Sequence, residues 1–350
     1  MDQIRFKEQV AAVRVPDSEF CLAEFDFQLN VQANRVVITL PFPFTHYQTQ
    51  LHHAIKEAIA EKMDIELCSV ISSYLPQVRP GLRPIAHVKN VIAIASGKGG
   101  VGKSTVAANV GFQLQRLGAR VGILDADIHG PSQDIMLGLE NQRKRRQSGE
   151  MFEPLKNKDG LKVMSIAFLI DKGQAIIWRG PMLSKVLQQL LFFTRWGSLD
   201  YLIIDLPPGT GDVQLTLVQK IPLSAAVIVT TPQAIALIDA ARAVQMFEKV
   251  QVPILGVIEN MSYFMCSHCN HKEYPFGQGG GEHLAAQYHI PLLGKLPLAT
   301  SIREAMDQGD ITYMRQSYWL DYQNITWQMV LNLAQLSLSL IHISEPTRPY

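Results

Sequence analysis

Two short stretches of the chain carry residue types that could do chemistry, and the first is rich in glycine. Residues 97–104 read GKGGVGKS, a full match to the pattern G-x-x-x-x-G-K-[ST]. Glycines let backbone N–H groups point inward around phosphates at a helix N-terminus, Lys103 adds a positive charge, and the Ser104 hydroxyl can reach a Mg²⁺ ion. We therefore predict a phosphate-binding loop. Its predicted binding residues are Gly97, Lys98, Gly99, Gly100, Val101, Gly102, Lys103, Ser104 and Thr105.

A second lysine of this loop, Lys98, follows the first glycine directly. One loop lysine is sufficient for one set of phosphates, which leaves two interpretations of the other. Lys98 is either solvated, or it serves a nucleotide elsewhere, such as one bound to a partner subunit.

The second stretch contains two cysteines, Cys266 and Cys269, at the spacing i, i+3. Such a pair can ligate one metal, but zinc or a cubane cluster needs four ligands. Three completions are open. A two-fold-related subunit could supply a second pair, His268 or His271 could complete a zinc site, or the two thiols could act as a redox pair.

Acidic residues follow two of the apolar runs that we predict to be buried strands. Asp125 and Asp127 come after residues 120–124, and Asp205 comes after residues 201–204. Chemistry in a doubly wound sheet collects at the carboxyl ends of the strands. The first two aspartates are well placed there to orient Mg²⁺-bound water and an attacking water. Asp205 resembles a Walker B aspartate, which holds Mg²⁺, usually through water.

Asn260 is a candidate for contact with a nucleotide base. It follows the apolar run 254–258. Because this place in the topology of P-loop folds is where the base is read, Asn260 could hydrogen-bond an adenine edge.

These residues need a scaffold of alternating strands and helices, and the apolar periodicity from residue 91 onward predicts one. We predict an α/β fold, in which a doubly wound, mostly parallel sheet forms a P-loop NTPase domain over residues 91–337. A small α+β domain at residues 1–80 precedes it, joined by a linker at 81–90. Residues 338–350 are predicted to be a non-native or disordered tail.

Composition limits the possible environments of the chain. The formal net charge of +1 gives no overall electrostatic argument for a nucleic acid or membrane partner. The N-terminus lacks the shape of a signal peptide, and no run of about 20 apolar residues is present. Four cysteines in 350 residues do not make a disulfide scaffold. We therefore expect a cytoplasmic protein.

Several motifs together resemble the Mrp (ApbC) family of iron–sulfur cluster carrier ATPases. The phosphate loop alone resembles the deviant Walker A motif of the MinD/ParA-like ATPases. The resemblance implies a homodimer that binds ATP and Mg²⁺, holds a [4Fe–4S] cluster between two CxxC pairs, and passes it from scaffold donors to apoproteins. ATP hydrolysis would be slow and would control the geometry of the dimer. The motifs are GKGGVGKST, DADIHGPS, WRGPM, LDYLIIDLPPGTGD, GVIENMS, CSHC and PFGQGGG.

The same resemblance implies roles for individual residues. Lys98 would act on the partner's nucleotide, Asp127 would position water, and Asp205 would support Mg²⁺. Lys103 and Ser104 would hold phosphate and Mg²⁺, and the cluster ligands would be Cys266 and Cys269.

Two alternatives are a MinD/ParA-type positioning ATPase and a zinc-stabilised regulatory ATPase. A positioning ATPase that binds membrane or DNA needs a basic amphipathic helix or a basic surface. The net charge of +1 counts against it, and it leaves Cys266 and Cys269 without a role.

Overall fold

The computed structural model describes residues 3–32, 34–59, 63–73, 82–128, 130–142, 151–169 and 180–344. These residues form two compact units. The first unit takes its residues from 1–74, 116–119 and 327–350, and the second from 75–115 and 120–326. The sequence predicted a single division between residues 80 and 91. The first unit also contains two later segments, which that division does not include. Part of the predicted linker, residue 81, lies outside the described residues, as do the first two residues of WRGPM.

The first unit contains a three-stranded sheet in the order β1-β2-β3, with β1 antiparallel to β2 and β2 parallel to β3. Burial alternates along β2, so that Val36, Ile38 and Leu40 face the core of this unit. Trp327 stacks on Tyr47 with ring centroids 4.3 Å apart. The elements are α1 (Gln3–Ala11), β1 (Gln28–Gln32), β2 (Arg35–Leu40), α2 (Gln48–Ile59) and β3 (Asp64–Ser69).

The second unit is built on a nine-stranded sheet in the order β11-β10-β9-β4-β8-β5-β7-β6, with β12 paired to β10. Among the strands that the structure describes, the pairs β10–β11 and β6–β7 are antiparallel, and the other pairs of this sheet are parallel. The strands are β4 (Val88–Ala95), β5 (Val121–Asp125), β6 (Leu155–Lys156), β7 (Lys162–Ser165), β8 (Leu199–Asp205), β9 (Ala225–Thr230), β10 (Ile254–Met265), β11 (Lys272–Glu273) and β12 (Leu292–Pro297).

Helices alternate with the strands of this sheet, as the sequence predicted. Strands β5, β8 and β9 are buried along their whole length, which is why they read as continuous apolar runs. The helices are α3 (Lys103–Arg116), α4 (Gln133–Met136), α5 (Gly180–Phe192), α6 (Asp212–Lys220), α7 (Ala234–Lys249), α8 (Gly280–Tyr288), α9 (Thr300–Asp307) and α10 (Gln316–Ser344).

The last helix, α10, extends beyond residue 337, where the sequence predicted the domain to end. Its backbone continues to Ser344, so residues 338–344 extend a helix where the sequence predicted a tail. Residues 345–350 of that predicted tail lie outside the described residues. Across the described part of the chain, no helix combines the length and the apolar character needed to cross a membrane.

Candidate functional site

The phosphate loop connects the end of β4 at Ala95 to the start of α3 at Lys103. Two of its glycines are required by their surroundings. A Cβ at Gly97 would collide with the backbone of Asp239 in α7. Gly102 has φ +82°, a left-handed conformation that favours glycine, and a Cβ there would collide with the Asn260 amide.

A cavity of about 210 Å³ lies against this loop. The first N–H groups of α3 have no partners within the helix, and they give its N-terminus a partial positive charge. The residues present therefore fit the phosphates of a nucleotide. The cavity is lined by Ser96, Lys98, Gly99, Gly100, Val101, Gly102, Lys103, Ser104, Thr105, Asp127, Ser132, Met136 and Pro208.

Lys103 lies at the centre of the polar groups of this site. Its Nζ forms a salt bridge with Asp205, lies 3.8 Å from Asp127 Oδ2, and lies 3.3 Å from Ser104 Oγ. Lys103 is 5% exposed and Asp205 is fully buried. Burial of two charges is tolerated only when they are paired. The structure thus brings together the two aspartates, the lysine and the serine that the sequence singled out.

Asp125 and Asp127 have different environments, although the sequence predicted that both would orient water. Asp125 is fully buried and accepts hydrogen bonds from the backbone N–H groups of Asp127 (3.1 Å), Ser132 (3.0 Å) and Gln133 (3.1 Å). It also accepts one from Ser165 Oγ at 3.2 Å. Burial, and next to it the charge of the Asp205 carboxylate, raise the pKa of Asp125. Asp125 therefore holds the segment after β5 in place, whereas Asp127 lines the cavity.

Gln133 is a site residue that the sequence did not indicate. It is fully buried, and its Nε2 donates to Asp205 Oδ2 and to the backbone oxygen of Ser104, both at 2.9 Å. A lone glutamine after a serine carries no motif, so only the three-dimensional contacts identify it.

Lys98 lines the cavity, and its Nζ lies 3.4 Å from Gln233 Oε1 at the start of α7. The Ser96 hydroxyl donates to the backbone oxygen of Lys98 at 2.9 Å. The loop conformation at Lys98 is thus fixed by its own neighbours. Its action on a partner's nucleotide stays a prediction.

Asn260 is buried and donates its side-chain amide to the Val101 carbonyl at 2.8 Å. It does not line the cavity described above. This geometry makes Asn260 a support of the phosphate loop. Its contact with an adenine edge stays a prediction.

Cys266 and Cys269 lie in the turn of a hairpin between β10 and β11. The turn is closed by hydrogen bonds from Cys266 N to His271 O (2.9 Å) and from Asn270 N to Cys266 O (3.0 Å). Both cysteines are free thiols; Cys266 is half-buried and Cys269 is exposed. Backbone N–H groups of Cys269 and His268, together with the Cys269 side chain, lower the pKa of Cys266 and so favour its thiolate.

The structure leaves open how this pair is completed. Among the residues that it describes, no group of three or more histidine, cysteine or acidic side chains is placed to hold a metal ion. Completion by a second copy of the chain, completion by His268 or His271, and use as a dithiol pair all stay predictions.

A phosphate loop between β4 and α3, with Asp205 at the end of the adjacent strand β8, defines this protein as a P-loop NTPase. Residues 87–331 match the family model described as the NUBPL iron-transfer P-loop NTPase of the ParA group, and the chain belongs to this family. The resemblance to the Mrp (ApbC) family and the predicted fold are thereby confirmed.

Proteins of similar sequence include curated iron–sulfur cluster carriers and a solved nucleotide-binding protein. An iron–sulfur cluster carrier protein of Pseudomonas fragi is 54% identical over 250 residues, which cover 71% of this chain and 86% of the relative. One of Haemophilus influenzae is 49% identical over 284 residues, which cover 80% of this chain and 76% of the relative. A solved nucleotide-binding protein from Archaeoglobus fulgidus, in complex with ADP, is 37% identical with a TM-score of 0.59, covering 67% of this chain and 92% of its own.

Proposed function

We propose that this protein is an ATP-dependent iron–sulfur cluster carrier. Two copies of the chain would hold one [4Fe–4S] cluster between them, receive it from a scaffold donor and transfer it to apoproteins. The observation that carries the proposal is the cysteine hairpin, which presents two thiols at a partly exposed turn next to the strand that contacts the phosphate loop.

Ligand number argues for a shared cluster. A [4Fe–4S] cluster takes four thiolates, and each hairpin offers Cys266 and Cys269. A two-fold axis brings the same residues of two copies together and would complete the set. Partial exposure of the pair suits a cluster that is released again.

All four cysteines are free thiols, which agrees with a carrier in the reducing cytoplasm. We expect no membrane or nucleic acid partner.

The residues of the phosphate loop are suited to bind ATP. Its backbone N–H groups, with Lys103, would hold the phosphates, and Ser104 and Asp205 would hold Mg²⁺, the latter through water. When bound, Mg²⁺ neutralises negative charge on the phosphates. Asp127, 3.8 Å from Lys103 Nζ, would orient the attacking water, and Lys98 would reach the nucleotide of the other copy.

Strand β10 offers a path by which the nucleotide would affect the cluster. Asn260 in this strand donates to Val101 in the phosphate loop, and the strand ends at Met265, directly before Cys266. A shift of the loop on nucleotide binding would move the hairpin with it. ATP binding and hydrolysis would in this way set the distance between the two cysteine pairs and thus the retention of the cluster.

Anaerobic reconstitution tests the proposal. The purified full chain is treated with ferrous iron and sulfide, and we measure bound iron, acid-labile sulfide and native mass with and without Mg²⁺–ATP. We expect about two iron atoms per chain, half of a four-iron cluster, in a particle of dimer mass. The loaded protein should then restore activity to the apo form of a [4Fe–4S] dehydratase.

A pair of serine variants gives the control. Cys266→Ser should load little iron and transfer none, whereas Cys68→Ser, a half-buried free thiol of the first unit, should behave as the wild type. A zinc-bound monomer that takes up no iron would contradict the proposal. Normal loading and transfer by Cys266→Ser would contradict it equally.

A further inference from the structure

Gln133 joins two parts of the nucleotide site through its side-chain amide. It is the first residue of α4 and is fully buried. Its Nε2 donates to Asp205 Oδ2 at 2.9 Å and to the Ser104 backbone oxygen at 2.9 Å. Both neighbours are acceptors, so only the amide nitrogen can face them, and the orientation of the amide is fixed.

The backbone of the same residue holds the segment that follows β5. The N–H of Gln133 donates to Asp125 Oδ2 at 3.1 Å, and the N–H of Ser132 donates to the same oxygen at 3.0 Å. Asp127 lies in this segment and lines the cavity. Gln133 therefore connects the segment that carries Asp127 with Asp205.

The two oxygens of Asp205 have different donors. Oδ1 accepts from Lys103, and Oδ2 accepts from Gln133. Phosphates in the loop would attract Lys103 away from Oδ1, while Oδ2 would stay on the uncharged amide. A carboxylate held by one fixed donor presents its other oxygen in one direction, and hydrogen bonds of this kind tune metal affinity.

We propose that Gln133 is a positioning residue of the Mg²⁺–nucleotide site, which orients the Asp205 carboxylate and couples it to the segment that carries Asp127. The inference rests on the nucleotide-binding part of the proposed function and is independent of the cluster.

Binding of a fluorescent ATP analogue during a Mg²⁺ titration tests this role. Gln133→Met removes the amide and keeps the length of the side chain. The Mg²⁺ concentration for half-maximal binding should rise about 10- to 100-fold, while the affinity for Mg²⁺-free nucleotide should stay within about twofold of the wild type. A residue that only supported the fold would weaken both to the same degree.

Gln113→Met is the matched control, since Gln113 is also buried and donates to the Trp319 backbone oxygen at 3.4 Å, away from the loop residues. It should leave the Mg²⁺ dependence unchanged. Gln133→Asn keeps an amide that is one methylene too short to reach both acceptors, and it should show the same Mg²⁺ shift as Gln133→Met.

Three results would overturn the inference. They are a folded Gln133 variant with wild-type Mg²⁺ dependence, an equal loss of affinity with and without Mg²⁺, and failure of both Gln133 variants to fold. A wild-type chain that binds no nucleotide would instead contradict the proposed function.

Discussion

The side-chain amide of Asn260 donates a hydrogen bond to the Val101 carbonyl at 2.8 Å, across 159 positions of the sequence. Val101 lies in the phosphate loop, and Asn260 lies in the strand that ends directly before Cys266. Both residues are buried, so water does not replace the bond when it is lost.

Asn260→Asp tests this link with a change of nearly equal size. The carboxylate would face the Val101 carbonyl oxygen, an acceptor against an acceptor, and would push the loop away. We expect the affinity for ATP to fall about tenfold, and cluster release to lose its response to ATP, while iron loading is unchanged. Nucleotide affinity and the rate of cluster transfer, each with and without ATP, are the measurements.

Asn157→Asp is the control for this substitution. Asn157 is also buried, but its Oδ1 accepts from the N–H groups of Asp159 (3.0 Å) and Leu161 (2.9 Å). An aspartate accepts the same bonds, so this variant should bind ATP and transfer the cluster normally. If cluster release by the Asn260→Asp protein responded to ATP as it does in the wild type, β10 would not couple the nucleotide to the cluster.

The pair of Lys103 and Asp205 predicts an effect on stability that is separate from binding. Lys103→Met leaves a fully buried carboxylate without its cation, and the free energy of unfolding should fall by about 3 kcal/mol. Lys103→Met combined with Asp205→Asn removes both charges and should recover most of that loss. Neither protein should bind ATP. Urea unfolding without nucleotide, followed by circular dichroism, measures the effect on stability apart from the effect on ATP binding.

If the double variant were as unstable as Lys103→Met alone, the ion pair would not be the source of the loss. Glu153→Gln breaks the exposed pair with Arg195 and serves as the comparison. It should change the free energy of unfolding by no more than about 0.5 kcal/mol.

A complementation experiment tests whether Lys98 acts on the partner's nucleotide. Lys98→Ala should bind ATP as a monomer but lose about 10³-fold in turnover, as when a cation supplied in trans is removed. Lys103→Met should be inactive because it binds no ATP. In a mixed dimer, the Lys98→Ala copy binds ATP and the Lys103→Met copy supplies Lys98.

Mixing the two inactive proteins should therefore restore ATP turnover, measured as phosphate release. If Lys98 acts within its own chain, the mixture stays inactive. Lys249→Ala, an exposed lysine at the end of α7, should have wild-type turnover alone.

Asp200 predicts a pH dependence of stability. Its carboxylate is bound by Arg120 through Nε and Nη2, both at 2.9 Å, and by Lys89 at 3.2 Å. Burial of Asp200 would raise its pKa, but the hydrogen bonds from Arg120 and Lys89 outweigh it and hold the pKa below the usual range. Its contribution to stability is therefore complete above the unfolded pKa of about 4 and is lost as the pH falls through the lower folded pKa.

Asp200→Asn should reduce the free energy of unfolding by about 2 kcal/mol at pH 7, discounted because Arg120 is exposed. The difference from the wild type should stay constant down to pH of about 5 and shrink below about 4. Urea unfolding across this range measures it. A difference that grows in acid would contradict the assignment. Asp200 directly precedes the first aligned pair of β5 and β8, Val121 with Tyr201, and the last pair aligns Asp125 with Asp205.

Much of the fold and the site followed from short stretches of sequence. The loop at residues 97–104 is specified locally, because its turn needs glycines and its lysine and serine lie at fixed distances along the chain. The strands could be predicted because both faces of a parallel sheet are covered, so that each strand is a continuous apolar run. Cys266 and Cys269 are likewise specified by spacing alone.

Contacts between distant parts of the chain could not be predicted from the sequence. Asp125 and Asp127 are the same residue type two positions apart, yet the pairing of β5 with β8 buries the first and leaves the second at the cavity. Part of α10 belongs to the first unit for the same kind of reason, since its partners lie far earlier in the chain. Trp327, for example, stacks on Tyr47 and donates a hydrogen bond to the Pro16 backbone oxygen.

The sequence by itself therefore determined which groups could do chemistry: a phosphate loop, two acidic strand ends and a pair of thiols. The tertiary structure decided how they are connected, through Asp205 between Lys103 and Gln133, and through Asn260 on Val101. The physical reason is that a motif depends on spacing along the chain. A buried hydrogen bond depends instead on strand register and packing, which bring its partners within 3 Å only once the sheet has formed.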